Sequence, residues 1–117
     1  VMNDYRGLIR VLLRVDAEAA ESVARERLAI TDEHLPEDDP THLESMALLG
    51  VTLGEQRRFS DAEPLVVTAY EGLVDSVGQE DGRTRDALAY TIRLYELMER
   101  PAVAEQYQAV TDALATE

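Results

Sequence analysis

The dipeptide Ala-Glu occurs three times at a spacing of 42 residues, as Ala20-Glu21, Ala62-Glu63 and Ala104-Glu105. A period of that length marks one supersecondary unit used repeatedly, each copy burying its apolar face against the next. A shift by 42 also aligns Asp39 with Asp81, Ala47 with Ala89 and Arg58 with Arg100. Conservative pairs follow: Glu44 with Asp86, Met46 with Leu88, Leu65 with Tyr107, and Leu35 with Val77. The first unit aligns more weakly, through Ile9 with Val51, Val11 with Leu53 and Val23 with Leu65.

The repeated unit reads as a helix hairpin. In Tyr5–Val15, Leu8, Ile9, Leu12 and Leu13 share one helical face. Ala17–Ile30 is rich in Ala, Glu and Arg, all good helix formers, and Asp16 stands before it as an N-cap. Two prolines and three acids in Leu35–Pro40 break the helix, with Asp39 placed to cap the next one and Pro40 at its first position. A third helix runs to about Gln56, with Leu43, Met46, Ala47, Leu49, Gly50 and Leu53 as its buried side. Ser60-Asp61-Ala62-Glu63 has the form of a capping box opening a fourth helix, which reaches about Val77. A fifth spans about Thr84–Met98, and Pro101 opens a sixth. Alternating runs between turn residues, the signature of strands, are absent from the sequence.

Six helices joined by alternating short and long turns make three hairpins, with units at about 3–35, 41–77 and 83–115 of a single all-α domain over 1–117. Alanine at the repeated position has a physical reason. Two antiparallel helices leaving a tight turn cross closely, and only a small side chain fits between axes ~8–10 Å apart. Gly50 serves the same close approach from the opposite helix. Stacked hairpins then form a right-handed α-α superhelix.

Composition narrows the chemistry. The 117 residues include no cysteine, so disulfides, thiol catalysis and cysteine-ligated zinc are excluded. All 11 basic residues are arginine, which removes Schiff-base chemistry and the phosphate-loop lysine. Twenty-four acids give a net charge of −13, which repels nucleic acid and anionic membrane surfaces. No apolar run approaches the ~20 residues of a membrane span, and a reducing cytoplasm is the expected compartment. Ser22, Ser45, Ser60 and Ser76 are isolated, with no nucleophile-elbow pattern around them. His34 and His42 share a loop with Glu33, Asp38, Asp39 and Glu44, a composition that metal sites also use. The preferred reading there is a helix cap and a solvated linker, with no metal, no cofactor and no enzymatic activity.

In the middle unit, Leu49-Gly50, Leu53, Phe59, Ala62, Val66, Ala69 and Tyr70 follow a pattern that resembles a tetratricopeptide repeat. The 42-residue period, Pro36–Pro40 and Arg58-Phe59-Ser60-Asp61-Ala62-Glu63-Pro64-Leu65 are similar to the long-period variety of kinesin light chains and many bacterial regulatory proteins. The third unit departs from the pattern at Ile92 and Pro101, and the first at Leu8 and Ala17. The resemblance implies a non-enzymatic protein-interaction module belonging to a larger bacterial regulatory or signalling protein. It implies a concave face lined by the first helix of each hairpin, near Tyr5, Arg6, Ile9, Leu48, Val51, Tyr90 and Arg93. Tyr and Arg are enriched at binding hot spots. A carboxylate grip of the kind some members use does not fit, because Tyr5, Ile9, Leu48, Asp86 and Tyr90 at its positions supply no suitable donor. The partner expected is therefore an apolar or basic peptide or protein. The alternative is self-association through the terminal repeats, where Val103, Tyr107, Val110 and Leu114 share a face.

Overall fold

The computed structural model describes residues 8, 9, 11–13 and 15–115, all helices and turns with no strand among them. Helix α1 is described at residues 8, 9, 11–13 and 15. It is followed by α2 (Ala17–His34), α3 (Pro40–Glu55), α4 (Phe59–Val77), α5 (Gly82–Leu97) and α6 (Pro101–Ala115). The sequence period recurs in the helix boundaries. Ala17, Phe59 and Pro101 start helices 42 residues apart, as do Pro40 and Gly82.

The local chemistry repeats with the same period. Asp39 and Asp81 sit in extended backbone and accept amide hydrogen bonds from Thr41 N and Arg83 N at 2.8 and 2.9 Å. Each neutralises an orphan donor at a helix start. Asp16 caps α2 in the same way through Ala19 N at 3.1 Å. The turns after α3 and α5 also match. Arg57 and Glu99 take left-handed φ values of 62° and 58°. The amides of Arg58 and Arg100 then reach back to the carbonyls of Leu53 and Tyr95 at 3.1 and 2.9 Å. Both are Schellman closures, built without the usual glycine.

That closure explains a departure at the start of α4. The chain leaves the turn at Arg58, so helical backbone begins at Phe59 and Ser60 lies inside the first turn. No capping box forms; Arg58 is the cap residue and offers no side-chain cap bond. Glu63 instead accepts the Tyr95 hydroxyl at 2.6 Å. Helix α2 also continues past Ile30 to His34, because Thr31 faces inward and is buried. At α5 the Asp81 cap starts the helix two residues before Thr84.

Helix α3 packs against α2, α4 and α5, and α5 against α3, α4 and α6. One core cluster joins Ile9, Ala20, Ala24, Leu48, Leu49, Leu53, Ala62, Val66 and Leu94. A second joins Leu43, Ala47, Ala69, Tyr70, Leu73, Ala87 and Leu88. The recurrent alanines Ala20, Ala62 and Ala104 are all buried, as close helix crossings require. Gly50 answers Val66 directly: a Cβ there would lie 2.4 Å from Val66 Cγ2. The radius of gyration, 13.5 Å, is that of a compact chain of this length. So few hairpins leave α3 enclosed nearly all round, with only Met46, Glu55 and its first two residues part-exposed.

Candidate functional site

That enclosure redraws the surface expected from the sequence. Ile9, Leu48 and Val51 are 0%, 0% and 4% exposed, so they belong to the core and present nothing to a partner. Helices α2, α4 and α5 pack on α3, and Ile9 of α1 joins the core cluster that holds Leu48, Leu49 and Leu53. Tyr5 and Arg6 lie outside the described residues. Tyr90 is half-buried and packs against both core clusters. Arg93 is exposed, but its guanidinium Nε and Nη2 both donate to the Glu55 carboxylate at 2.9 Å, tying α5 to α3. Those bonds push the Arg93 pKa above its ordinary value.

Arg93 lines a groove between α5 and α6. One lobe, of about 330 Å³, is lined by Arg85, Leu88, Ala89, Ile92, Arg93, Glu96, Gln108, Thr111, Leu114 and Ala115. An adjoining lobe of about 540 Å³ shares Ile92, Glu96 and Gln108 and adds Glu99, Pro101, Ala104 and Glu105. Together they run along most of both helices, with an apolar floor and three glutamates on the second lobe. A second cleft, near His42 and Met46, is rimmed by Asp32, Glu37 and Asp38 and holds about 410 Å³.

An aromatic cluster holds the groove's walls in place. Tyr107 of α6 stacks on Tyr95 of α5 with centroids 5.8 Å apart and planes 6° apart. It meets Tyr70 of α4 edge-on at 5.9 Å. Arg100 lies 5.5 Å from the Tyr95 ring centroid, within cation–π range. Burial, followed by the bond to Glu63, pushes the Tyr95 hydroxyl pKa up, so it stays a hydrogen-bond donor at physiological pH.

A buried polar layer between α2 and α3 was invisible to apolar periodicity. Arg27 Nη2 pairs with Glu44 Oε1 at 2.7 Å, and Arg27 Nε donates to Ser45 Oγ at 3.0 Å. Thr31 Oγ1 lies 3.0 Å from His42 Nδ1. The two histidines are thus separated in role, His42 buried in this layer and His34 exposed at the end of α2. No group of three or more His, Asp or Glu with metal-binding geometry occurs among the described residues. No described helix is long and apolar enough to cross a membrane.

No family model matches this chain, and neither a curated protein nor a solved structure does.

Proposed function

We propose that the chain is a non-enzymatic protein-interaction module of stacked tetratricopeptide-like hairpins. It takes a helical segment of a partner protein into the α5–α6 groove. One observation carries the reading. Helix α5 is seated on α3 and α4 through Leu43, Ala47, Gly54, Glu63, Ala69 and Leu73, all of which lie in or beside the two core clusters or contact α5 directly. Forty-two residues later stand Arg85, Ala89, Glu96, Glu105, Thr111 and Ala115, and all six line the α5–α6 groove. The groove is therefore the same seat one unit further on. A seat shaped for a helix takes a helix, with anchors at i, i+3, i+4 and i+7. The packing of each hairpin on the one before supports the superhelical arrangement in the same way.

Its glutamates favour an apolar or basic occupant over an acidic one. The test is amide chemical-shift mapping with a panel of amphipathic helical peptides, some Arg-flanked and some Glu-flanked. Arg-flanked peptides should shift α5 and α6 signals around Leu88, Ile92 and Gln108. Shifts confined to another face would overturn the groove assignment.

A further inference from the structure

We infer that the cleft over α3, walled by α2 and α4, is a second binding site, which takes a tyrosine side chain of a partner peptide flanked by basic residues. It is separate from the α5–α6 groove and does not rest on that reading. Every residue lining it lies within 25–72, all described. The cleft has two adjoining lobes, of about 410 and 430 Å³, that share Asp32, His42 and Met46. Its lining runs from Arg25 to Asp32 on α2 and from Leu65 to Gly72 on α4, two turns of each helix or about 10 Å. Met46 is common to both lobes, with Leu28, Leu49 and Leu65 in one and Leu43 in the other. Apolar walls with a few polar groups are the usual make-up of a ligand site.

The next unit of the repeat shows what fills such a space. Tyr70, Tyr107 and Gln79 stand 42 residues after Leu28, Leu65 and Glu37. Between α4 and α6 the two rings meet edge-on with centroids 5.9 Å apart, and the Tyr70 hydroxyl donates to Gln79 Oε1 at 3.1 Å. Leu88 joins Tyr70 in a core cluster and is 2% exposed. Between α2 and α4, Leu28 and Leu65 carry no ring to bridge the interval, and Met46, the counterpart of Leu88, stays part-exposed. A tyrosine ring entering from a partner restores the contact that the chain itself makes one unit later. Its hydroxyl then meets the Glu37 carboxylate, in the place of Gln79, in a charge-assisted hydrogen bond.

The polar lining selects the flanking residues. Asp32, Glu37 and Asp38 line the cleft, are exposed, and pair with no cation among the described residues. Arg25, at the far end, is already held by Glu21 at 2.7 Å. His42, only 6% exposed, lines both lobes. The Thr31 hydroxyl donates to the Leu28 carbonyl at 3.2 Å, and so accepts from His42 Nδ1–H at 3.0 Å. That tautomer leaves His42 Nε2 an acceptor, with no partner among the described residues. Three carboxylates and a buried acceptor match the N–H groups of arginine or lysine on either side of the tyrosine, and they repel an acidic peptide.

The experiment is amide chemical-shift titration of the full chain with the capped peptide Gly-Arg-Tyr-Arg-Gly, which is too short to hold a helix. Signals of Ala29, Asp32, Met46 and Thr68 should move, and those of Ile92 and Gln108 should not. Replacing the peptide's tyrosine by leucine should weaken binding at least about tenfold, and replacing it by phenylalanine about threefold. Glutamate in place of its arginines should abolish binding. Tyramine, with the same ring and one cation, should bind at least about tenfold more weakly than the peptide. Leu28→Tyr combined with Leu65→Tyr installs the ring pair of the next unit, and with unchanged helical circular dichroism it should lose the peptide. Glu37→Ala, an exposed change, should remove the preference for tyrosine over phenylalanine. Shifts confined to α5 and α6, a leucine peptide that binds as well as the tyrosine one, or a folded double-tyrosine variant with full affinity each overturns the site. Equal affinity for tyramine overturns a peptide as its occupant, and an unchanged tyrosine preference in Glu37→Ala overturns the placing of the hydroxyl.

Discussion

Glu21, on α2, holds Arg58 of the next hairpin's turn at 3.0 Å, and 42 residues later Glu63 and Arg100 stand 3.8 Å apart in the same relation. The recurrent Ala-Glu dipeptide thus combines two jobs. The alanine permits a close crossing within a hairpin, and the glutamate clasps the hairpin that follows. Glu21 also accepts from Gln56 Nε2 at 3.0 Å and Arg25 Nε at 2.7 Å.

The bond from Gln56, then that from Arg25, and the nearby arginine charges hold the Glu21 carboxyl at about 2, below its ordinary 4.5. A carboxyl lowered in the folded state stabilises the fold above its unfolded pKa. The contribution is complete above about 4.5 and is lost as pH falls from there towards about 2. Glu21→Gln should therefore cost about 0.5–1 kcal/mol at neutral pH, the scale of a partly exposed ion-pair network. It should also flatten the fall in stability across that acid window. Urea unfolding at pH 7, 4 and 3 checks both; an unchanged pH dependence would count against the clasp.

The close approach at Gly50 makes a sharper prediction. A methyl there meets Val66 Cγ2 at 2.4 Å and the Val66 backbone nitrogen at 3.1 Å, and the backbone has nowhere to go. Gly50→Ala should destabilise by about 1–3 kcal/mol despite its better helix propensity. Gly82→Ala provides the control. Nothing lies within 4 Å of its added Cβ, so it should be neutral or stabilising by up to about 1 kcal/mol. Thermal unfolding of the two variants should move in opposite directions or leave only Gly50→Ala displaced.

The Arg27–Glu44 pair is nearly sealed, with the two residues 2% and 8% exposed. Removing one partner strands a buried charge, so Glu44→Leu should cost about 3–5 kcal/mol. Arg27→Met combined with Glu44→Leu removes both charges and should recover most of that loss. A double-mutant cycle by denaturant unfolding measures the coupling. Additive losses would show that the two charges act independently.

Much of this architecture was legible in the residues. Period, helix number, the caps Asp16 and Asp39, and the small residues Ala62 and Gly50 all followed from spacing and side-chain size. Local rules act over a few residues, and those elements obey them. The functional surface was less legible because exposure depends on how many helices surround a position. Leu48 and Val51 looked available on a helix expected to line a groove, yet α3 is enclosed by its neighbours. Apolar periodicity does not reveal the Arg27–Glu44 and Thr31–His42 layer, because it scores polar residues as outward-facing. The signal that was present is the i,i+4 spacing of Arg27 and Thr31, which continues the buried positions Ala20 and Ala24. The capping box at Ser60 failed for another reason. The Arg57 turn set the helix start, and turn geometry outranked the motif.

That turn supports the last prediction. Arg57 and Glu99 both occupy the left-handed region at the C′ position of a Schellman closure, where glycine is normally found. A side chain with a Cβ pays about 1 kcal/mol in that conformation. Replacing either by glycine removes the strain but adds freedom to the unfolded chain, so the net gain should be about 0.5 kcal/mol per site. Arg57 and Glu99 are exposed and 42 residues apart, so the two gains should add. The variants separate in a second measurement, because Glu99 also lines the outer lobe of the α5–α6 groove. Arg57→Gly should raise stability and leave the binding of Arg-flanked helical peptides unchanged. Glu99→Gly should raise stability by the same amount while weakening that binding through the lost carboxylate. Equal peptide affinity in both variants would place the occupied surface away from Glu99.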